Sequence, residues 1–587
     1  MTTRDPVRLA LLRNGLDAIA DEMAVTVVRT ARSYVIKEAM DFSTGLIARD
    51  GQLVAQGLCL PVHMGSFPPT IRAVLDKFGD TIRPGDVFAT NDPYTGGGTH
   101  LPDIYIFKPV FLKDELIGFA AAIGHQTDIG GRVAGGNACD STEIYQEGIR
   151  IPPIRIAVND KIDQSFMEIL RLNVRLPDKV EGDVMATIAA CRRGEKGLLE
   201  LAHRHGADSF ADDINALLDQ AEHMTREELK ALPDGEWEFE DFLDDDGFTD
   251  DPLRFYVKLT KKGSDLTVDF TGTCAQVPSS INLPIAMTES CVYAAVRSVL
   301  SSDLPTNSGF MRVINIITEP GSMVHPVPPG AVAARGLTSM RVSEAIWGAL
   351  SKMLPHKVFA CGVQGDFGVI IAGYRDKSDP FVLLEFLFGT WGGRPNKDAN
   401  DGLASLAVNY SNSPVEIIEG EQPVRIERYG FRDDSGGPGR YRGGLGLIRE
   451  YCLVGVDEAV LQVRSDRQKF QPYGLQGGHP GAFARNYINF GKDDEERLPG
   501  KFMRTLKRGQ TYSAFLAGGG GWGNPLDRPP ADVLENVLDD KVSLETAREA
   551  YGVVIDSDAW VVDEAATERL RQSLRHAGAS TREAAAE

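Results

Sequence analysis

The sequence predicts a multidomain fold of the α/β to α+β class, and three observations carry that reading. At 587 residues the chain exceeds what one hydrophobic core organises, since domains average ~150 residues. Apolar residues near the N-terminus recur every three or four positions, the helical period, whereas those of 237–269 alternate, the strand period. From 423 to 521 the chain is rich in glycine with short alternating runs, a β-rich pattern.

In order along the chain, Leu9, Leu12, Leu16, Ile19, Met23 and Val27 form the stripe of an amphipathic helix over 7–31. Residues 45–56 read as a hairpin turning at Arg49-Asp50-Gly51, and 66–78 return to helix before a turn at Pro84-Gly85. Helices with polar faces are expected over 163–232. Alternation in FYVKLTKKGSDLTVDF predicts strands around a turn at Lys262-Gly263. Helices recur at 289–300 and 342–353, and the last 60 residues read as charged helix. No internal repeat stands out.

Composition is that of a folded protein: 42% hydrophobic and 25% charged. The 83 acidic against 62 basic residues give a net charge of −21, which disfavours nucleic acid as the main ligand because a polyanion is repelled. No window offers ~18 uninterrupted apolar residues, so no membrane helix is expected, and the N-terminus lacks the pattern of a signal peptide. Seven cysteines (Cys59, Cys139, Cys191, Cys274, Cys291, Cys361, Cys452) lie scattered without a CxxC pair. Reduced, mostly buried thiols and a cytoplasmic location follow.

The chemistry concentrates between 91 and 153. His100 and Asp103 form one His-x-x-Asp pair, His125 and Asp128 another, and two apolar runs, 104–112 and 116–123, lie between them. A hairpin centred on Asp114 puts Asp103 opposite His125 and His100 opposite Asp128. Directly opposed side chains have Cβ atoms ~5 Å apart, close enough to share one ion. Imidazole nitrogen and carboxylate oxygen suit Zn²⁺ or Mn²⁺. Two histidines, one carboxylate and an open position make a catalytic site, which polarises a carbonyl or phosphoryl oxygen and lowers the pKa of water toward ~7.

Weaker signals surround it. Asp41, in MDFSTG before a strand, is either a fourth ligand or a turn cap. Asp128 is a candidate catalytic residue, as a base or as the group that orients a histidine. Asp92 in NDPY starts an Asx turn, and His63 reads as a core histidine. The acidic run Asp244-Asp245-Asp246 reads as a solvated turn, because Phe242 occupies the first position of a calcium loop. Residues 518–523 (GGGGWG) satisfy GxGxxG, but prolines rather than a helix follow, so no dinucleotide site is expected. The sequence contains neither GxxxxGK[ST] nor GxSxG.

At NDPYTGGGTHLPD (91–103) followed by GHQTDIGG (124–131) the sequence resembles the hydantoinase B/oxoprolinase family. The likeness extends through STEIYQEGIRIPP (141–153), DFTGT (269–273), NSPVEIIE (412–419), RYGFRDDSGGPGRYRGGLGLIRE (428–450) and VSLETAREAYGVV (542–554). The resemblance implies a hydantoinase A-type partner that binds ATP with Mg and phosphorylates the substrate carbonyl. This chain then receives the activated species at a metal held by His100, Asp103, His125 and Asp41. It also implies a heterotetramer or larger assembly. Many members carry two adjacent histidines where this chain has Gly124-His125, which implies one histidine fewer around the site.

The expected function is the metal-dependent subunit of an ATP-dependent amidohydrolase that opens a hydantoin, oxoproline or lactam. A subunit of an ATP-dependent ketone carboxylase, acetone or acetophenone type, is the alternative; a non-catalytic scaffold is the third reading. The expected domains are 1–235, an N-terminal helix-and-sheet metal-binding domain; 236–380, a central α+β segment; 381–525, a β-rich domain; and 526–587, a helical tail.

Overall fold

The structure, a computed structural model, describes residues 5–58, 60–363 and 367–584; Cys59 lies outside them. The first helix, Pro6–Thr30, starts where Asp5 accepts from the Val7 N–H and proline occupies the first turn. Its predicted stripe, Leu9 to Val27, is buried against the helix Pro177–His205.

Both helices cover one face of an antiparallel sheet. Its strands are β1 (Phe42–Ala48), β2 (Leu53–Gln56), β3 (Val87–Thr90), β4 (Asp103–Leu112), β5 (Glu115–His125), β6 (Ile154–Val158) and β7 (Lys161–Ile162). They lie in the order β2-β1-β5-β4-β3-β6-β7. Even-numbered residues of β4 and β5, such as Ile104, Ile106, Ala120 and Ala122, pack toward the helices. Odd-numbered ones, such as Tyr105, Phe107, Ala121 and Ile123, pack the other way, against the central segment. Burial on both faces explains why these strands read as continuous apolar runs.

Among the described residues the rest of the chain forms three further sheets and a small strand pair. Strands β8 (Gly235–Leu243), β9 (Leu253–Lys262), β10 (Asp265–Asp269) and β11 (Ile314–Ile317) lie under the helix Arg335–Met353. That helix is buried along almost its whole length. Strands β12 (Phe367–Tyr374) and β13 (Pro380–Leu387) pair with β16 (Glu458–Arg464) and β19 (Lys501–Lys507), so this sheet begins ahead of the glycine-rich stretch. Strands β14 (Val424–Phe431), β15 (Leu447–Leu453), β17 (Arg485–Ile488), β18 (Glu496–Leu498) and β20 (Thr511–Phe515) form the last sheet. The tail is helical at Pro530–Leu538, Leu544–Glu549 and Glu564–Ala584, with a short strand pair between. No helix among the described residues is long and apolar enough to cross a membrane.

The acidic run departs from expectation. Asp244, Asp245 and Asp246 are buried rather than solvated. The Asp244 carboxylate accepts from the N–H groups of Gln468, Lys469 and Phe470, and Lys501 Nζ donates to Asp245 at 3.1 Å. Buried carboxylates need such partners, and here they come from more than 200 positions away. The glycines at 518–523 serve packing: a Cβ on Gly518 would stand 1.6 Å from the Ser435 carbonyl oxygen, and one on Gly519 2.1 Å from that of Trp391. Of the six free cysteines described, Cys274 is half-buried and the others are buried.

Candidate metal centre

The β4–β5 hairpin sets the site. Its turn has two residues, Lys113 with φ 57° and Asp114, and next to it Phe111 faces Leu116. A regular ladder from that turn would carry Asp103 past His125 by one position. A bulge between Val110 and Phe111 corrects this, and Asp103 pairs with His125 as the sequence predicts. On the other side of β5, β1 pairs Phe42 with Gly124, and the His125 N–H donates to the Asp41 carbonyl at 3.1 Å. Asp41, His125 and Asp103 therefore stand in a row across three neighbouring strand ends.

His100 reaches the same point from the turn before β4. Its Nε2 is 3.2 Å from Asp103 Oδ1, and its ring lies 5.1 Å from that of His125. Ligand atoms of His100, Asp103 and His125 all lie within 4.8 Å of one another. The His100 Nδ1 donates to the Ala333 carbonyl at 2.8 Å, because a carbonyl only accepts; this leaves the Nε2 lone pair facing Asp103. His100 Nε2, Asp103 Oδ1 and His125 Nδ1 are buried with no hydrogen-bond partner. Convergent lone pairs left bare in this way fit a divalent cation, since an unmet buried acceptor costs ~1–3 kcal/mol.

Charge at the site is set by residues from afar. Arg335 Nη2 donates to Asp103 Oδ2 at 2.7 Å, and the Thr99 hydroxyl donates to the same oxygen. Burial works against ionising Asp103, yet His100 and Arg335 outweigh it and hold its carboxyl well below the usual carboxylate range. Burial first, then Arg335, pushes the His100 imidazole down; burial, then His100, does the same for His125. With His100 kept neutral, the permanent charge facing Asp103 is the Arg335 guanidinium. Neutral imidazoles beside an ionised carboxylate are the protonation states a metal needs.

Above these groups lies a cavity of about 40 Å³, lined among others by Asp41, His63, Arg335, Phe386, Tyr410 and Arg464. His63 is buried as expected, its Nδ1 3.0 Å from Ser43 Oγ, but it also faces the site, with Nε2 4.0 Å from Asp103 Oδ2. Phe386 meets the His125 ring edge-on at 5.4 Å, and the Arg464 guanidinium lies 4.8 Å over Phe386. Arg335, Arg464 and Phe386 carry no local signal in the sequence; only their place in the fold marks them.

Asp128 stands apart from this cavity. Its oxygens accept from the Gly135 N–H (2.9 Å), the Arg175 N–H (2.6 Å) and Arg175 Nη1 (3.1 Å). It braces the glycine loop that brings Asn137 Nδ2 to 3.4 Å from His125 Nε2. Asp92 forms its Asx turn, accepting from the N–H groups of Tyr94 and Thr95. Gly124 corrects another expectation. A Cβ there would meet Ile36 Cδ1 at 3.0 Å and Thr187 Cγ2 at 3.2 Å, on the helix-covered face. A side chain at 124 points away from His125, so glycine there removes nothing from the cavity.

The sequence pattern of the Hydantoinase B/oxoprolinase family matches residues 5–525. The chain belongs to the hydantoinase B/oxoprolinase family. The B component of a putative D-/L-hydantoinase from Pseudomonas sp. (strain NS671) is 34% identical over 97% of this chain and 98% of its own length. The ATP-dependent caprolactamase from Pseudomonas jessenii superposes with a TM-score of 0.90 at 30% identity, covering 97% of this chain and 100% of its own. Nucleotide-free acetone carboxylase superposes at 0.91 but is 19% identical, covering 98% of this chain and 84% of its own; it shares the hydantoinase B fold.

Proposed function

We propose that this chain is the metal-binding subunit of an ATP-dependent cyclic amide hydrolase, acting in the cytoplasm with a hydantoinase A-type partner that binds ATP and Mg. The observation that carries the reading is the convergence of His100 Nε2, Asp103 Oδ1 and His125 Nδ1, buried and unpartnered, at one cavity. In this reading those three residues hold zinc or manganese and Asp41 supplies a fourth ligand. Such an ion contributes Lewis-acid polarisation of the amide carbonyl and a water of lowered pKa.

The protein does the rest. The Ala333 carbonyl fixes the His100 tautomer, and Arg335 keeps Asp103 charged and immobile. Arg335 and Arg464 place positive charge beside the site, where a phosphorylated carbonyl would carry its negative charge. Phe386, Phe388 and Val408 keep bulk water out. Asp128 serves as a positioning residue through Arg175 and the glycine loop. The absence of GxxxxGK[ST] from the sequence accords with ATP being held by the partner. Likeness to the hydantoinase and caprolactamase chains supports a cyclic amide and a hetero-oligomer with two copies of each subunit.

The test is metal analysis and turnover of the complex, wild type against His100→Ala/Asp103→Ala. The expected result is about one zinc or manganese per chain, lost in the variant together with ATP-dependent opening of lactams. Equal metal and equal turnover in both would overturn the proposal. ATP-dependent carboxylation of acetone without lactam opening would instead assign the site to a ketone carboxylase, which could use the same ligands.

A further inference from the structure

A second cavity lies against the first. It is an open groove of about 870 Å³, a volume suited to small organic molecules. Val408 and Tyr410 line both spaces. The wall between them is one layer of side chains from two segments: Leu60 and Val62 face the inner cavity, while Pro61 and Met64 face the groove. The Val62 N–H donates to the Ala407 carbonyl at 2.8 Å and ties the segments together. Tyr410 packs its ring on Phe386 and Phe388, with centroids 5.8 and 5.0 Å away.

The two spaces differ in charge. The inner cavity has Arg335, Arg464 and the ligand cluster. Among the residues that line the groove, Arg297 alone is charged. Its guanidinium is already engaged by the carbonyls of Ser301, Ser302 and Leu304 and the hydroxyl of Thr306. Leucines, methionine and Trp391 supply most of the remaining surface. A carboxylate entering the groove would lose hydration and gain no cation.

We propose that the groove is the entrance to the ligand cavity, with Val408 and Tyr410 as the aperture, and that it selects substrates with an uncharged, largely apolar body. Naming that body as a lactam ring rests on the amidohydrolase reading above; the aperture itself does not. A neutral ring lies in the groove while its carbonyl or phosphorylated end passes Val408 and Tyr410 toward Arg335 and the histidines. 5-Oxoproline, whose ring carries a carboxylate, is disfavoured.

His63 reports on passage, because it lines the inner cavity and is buried, whereas His223 is exposed. The full-length chain is treated with diethyl pyrocarbonate, a small neutral reagent, and carbethoxylation of His63 relative to His223 is followed by peptide mass spectrometry. Val408→Trp should slow His63 labelling about tenfold, equivalent to ~1.4 kcal/mol, and Val408→Ala should speed it. The opposite signs separate gating from a folding defect, which would expose His63 in both. An unchanged His63 to His223 ratio in both variants would overturn the aperture. In wild type, caprolactam should protect His63 and 5-oxoproline should not. Protection by 5-oxoproline equal to that by caprolactam would overturn the selectivity. Failure of both to protect, with the Val408 effects intact, would remove the lactam and leave the aperture standing.

Discussion

Replacing Arg335 by methionine tests the metal reading with a sign that a purely structural cluster would not give. The guanidinium lies 2.7 Å from Asp103 Oδ2, and both side chains are buried. At an effective dielectric of ~20 the gross attraction at that distance is ~6 kcal/mol, and leaving a buried charge without its partner typically costs ~3–5 kcal/mol. Arg335→Met should therefore destabilise the metal-free protein by about that amount. A divalent ion on the other carboxylate oxygen, Oδ1, would restore a positive neighbour and recover half or more of the loss. By the thermodynamic cycle, ~2 kcal/mol recovered means ~30-fold tighter metal binding in the variant. Urea unfolding in EDTA and in excess zinc or manganese measures the first quantity, and competition with a chromophoric chelator measures the second. Equal destabilisation with and without metal, at unchanged affinity, would refute the assignment of Asp103 as a ligand.

Acidity gives two further tests. Burial pushes His100 and His125 below the ordinary imidazole value, so both stay neutral, and the ion should stay bound, as pH falls through ~6.5; half-loss of metal above that pH on stepwise dialysis would contradict this. Glu147, fully buried, accepts at Oε1 from the N–H groups of Val332 and Ala333, and burial pushes it up to about 8. Because its folded value lies above its unfolded one, its share of stability is whole below about 4.5 and is lost as pH rises through about 8. Glu147→Gln keeps the acceptor and removes the proton, so the variant should outlast wild type at pH ~8.5 by a few kcal/mol and match it near pH ~5. Parallel urea midpoints across that range would show that Glu147 does not titrate with folding.

Much of the centre is a local matter. Asp103 and His125 belong to one hairpin, and alternation plus turn position places them opposite each other within 23 residues of chain. The bulge at Val110 has no signature in the alternation, yet the predicted pairing at the strand ends holds because the bulge offsets the tighter turn. The expected pairing of His100 with Asp128 does not form, since the ladder stops at Asp103 and His125. Beyond that point each chain end follows its own loop, which periodicity does not describe. The acidic run misleads for a related reason: its charges predict solvent unless distant cations are known to meet them.

The sequence by itself determined the helical stripe of Pro6–Thr30, the β4–β5 hairpin, the His/Asp/His ligand types and, through long motifs, the family. Each is carried by residues near one another in the chain, where helix and strand periods and turn chemistry act directly. Only the tertiary structure decided that β1 lies beside β5 and brings Asp41 to His125, and that Arg335 crosses 232 positions to hold Asp103. It also decided that Val408 and Tyr410 stand between the site and an uncharged groove. Those contacts come from the docking of separately built layers, which depends on the shape and burial of whole surfaces rather than on any repeat along the chain.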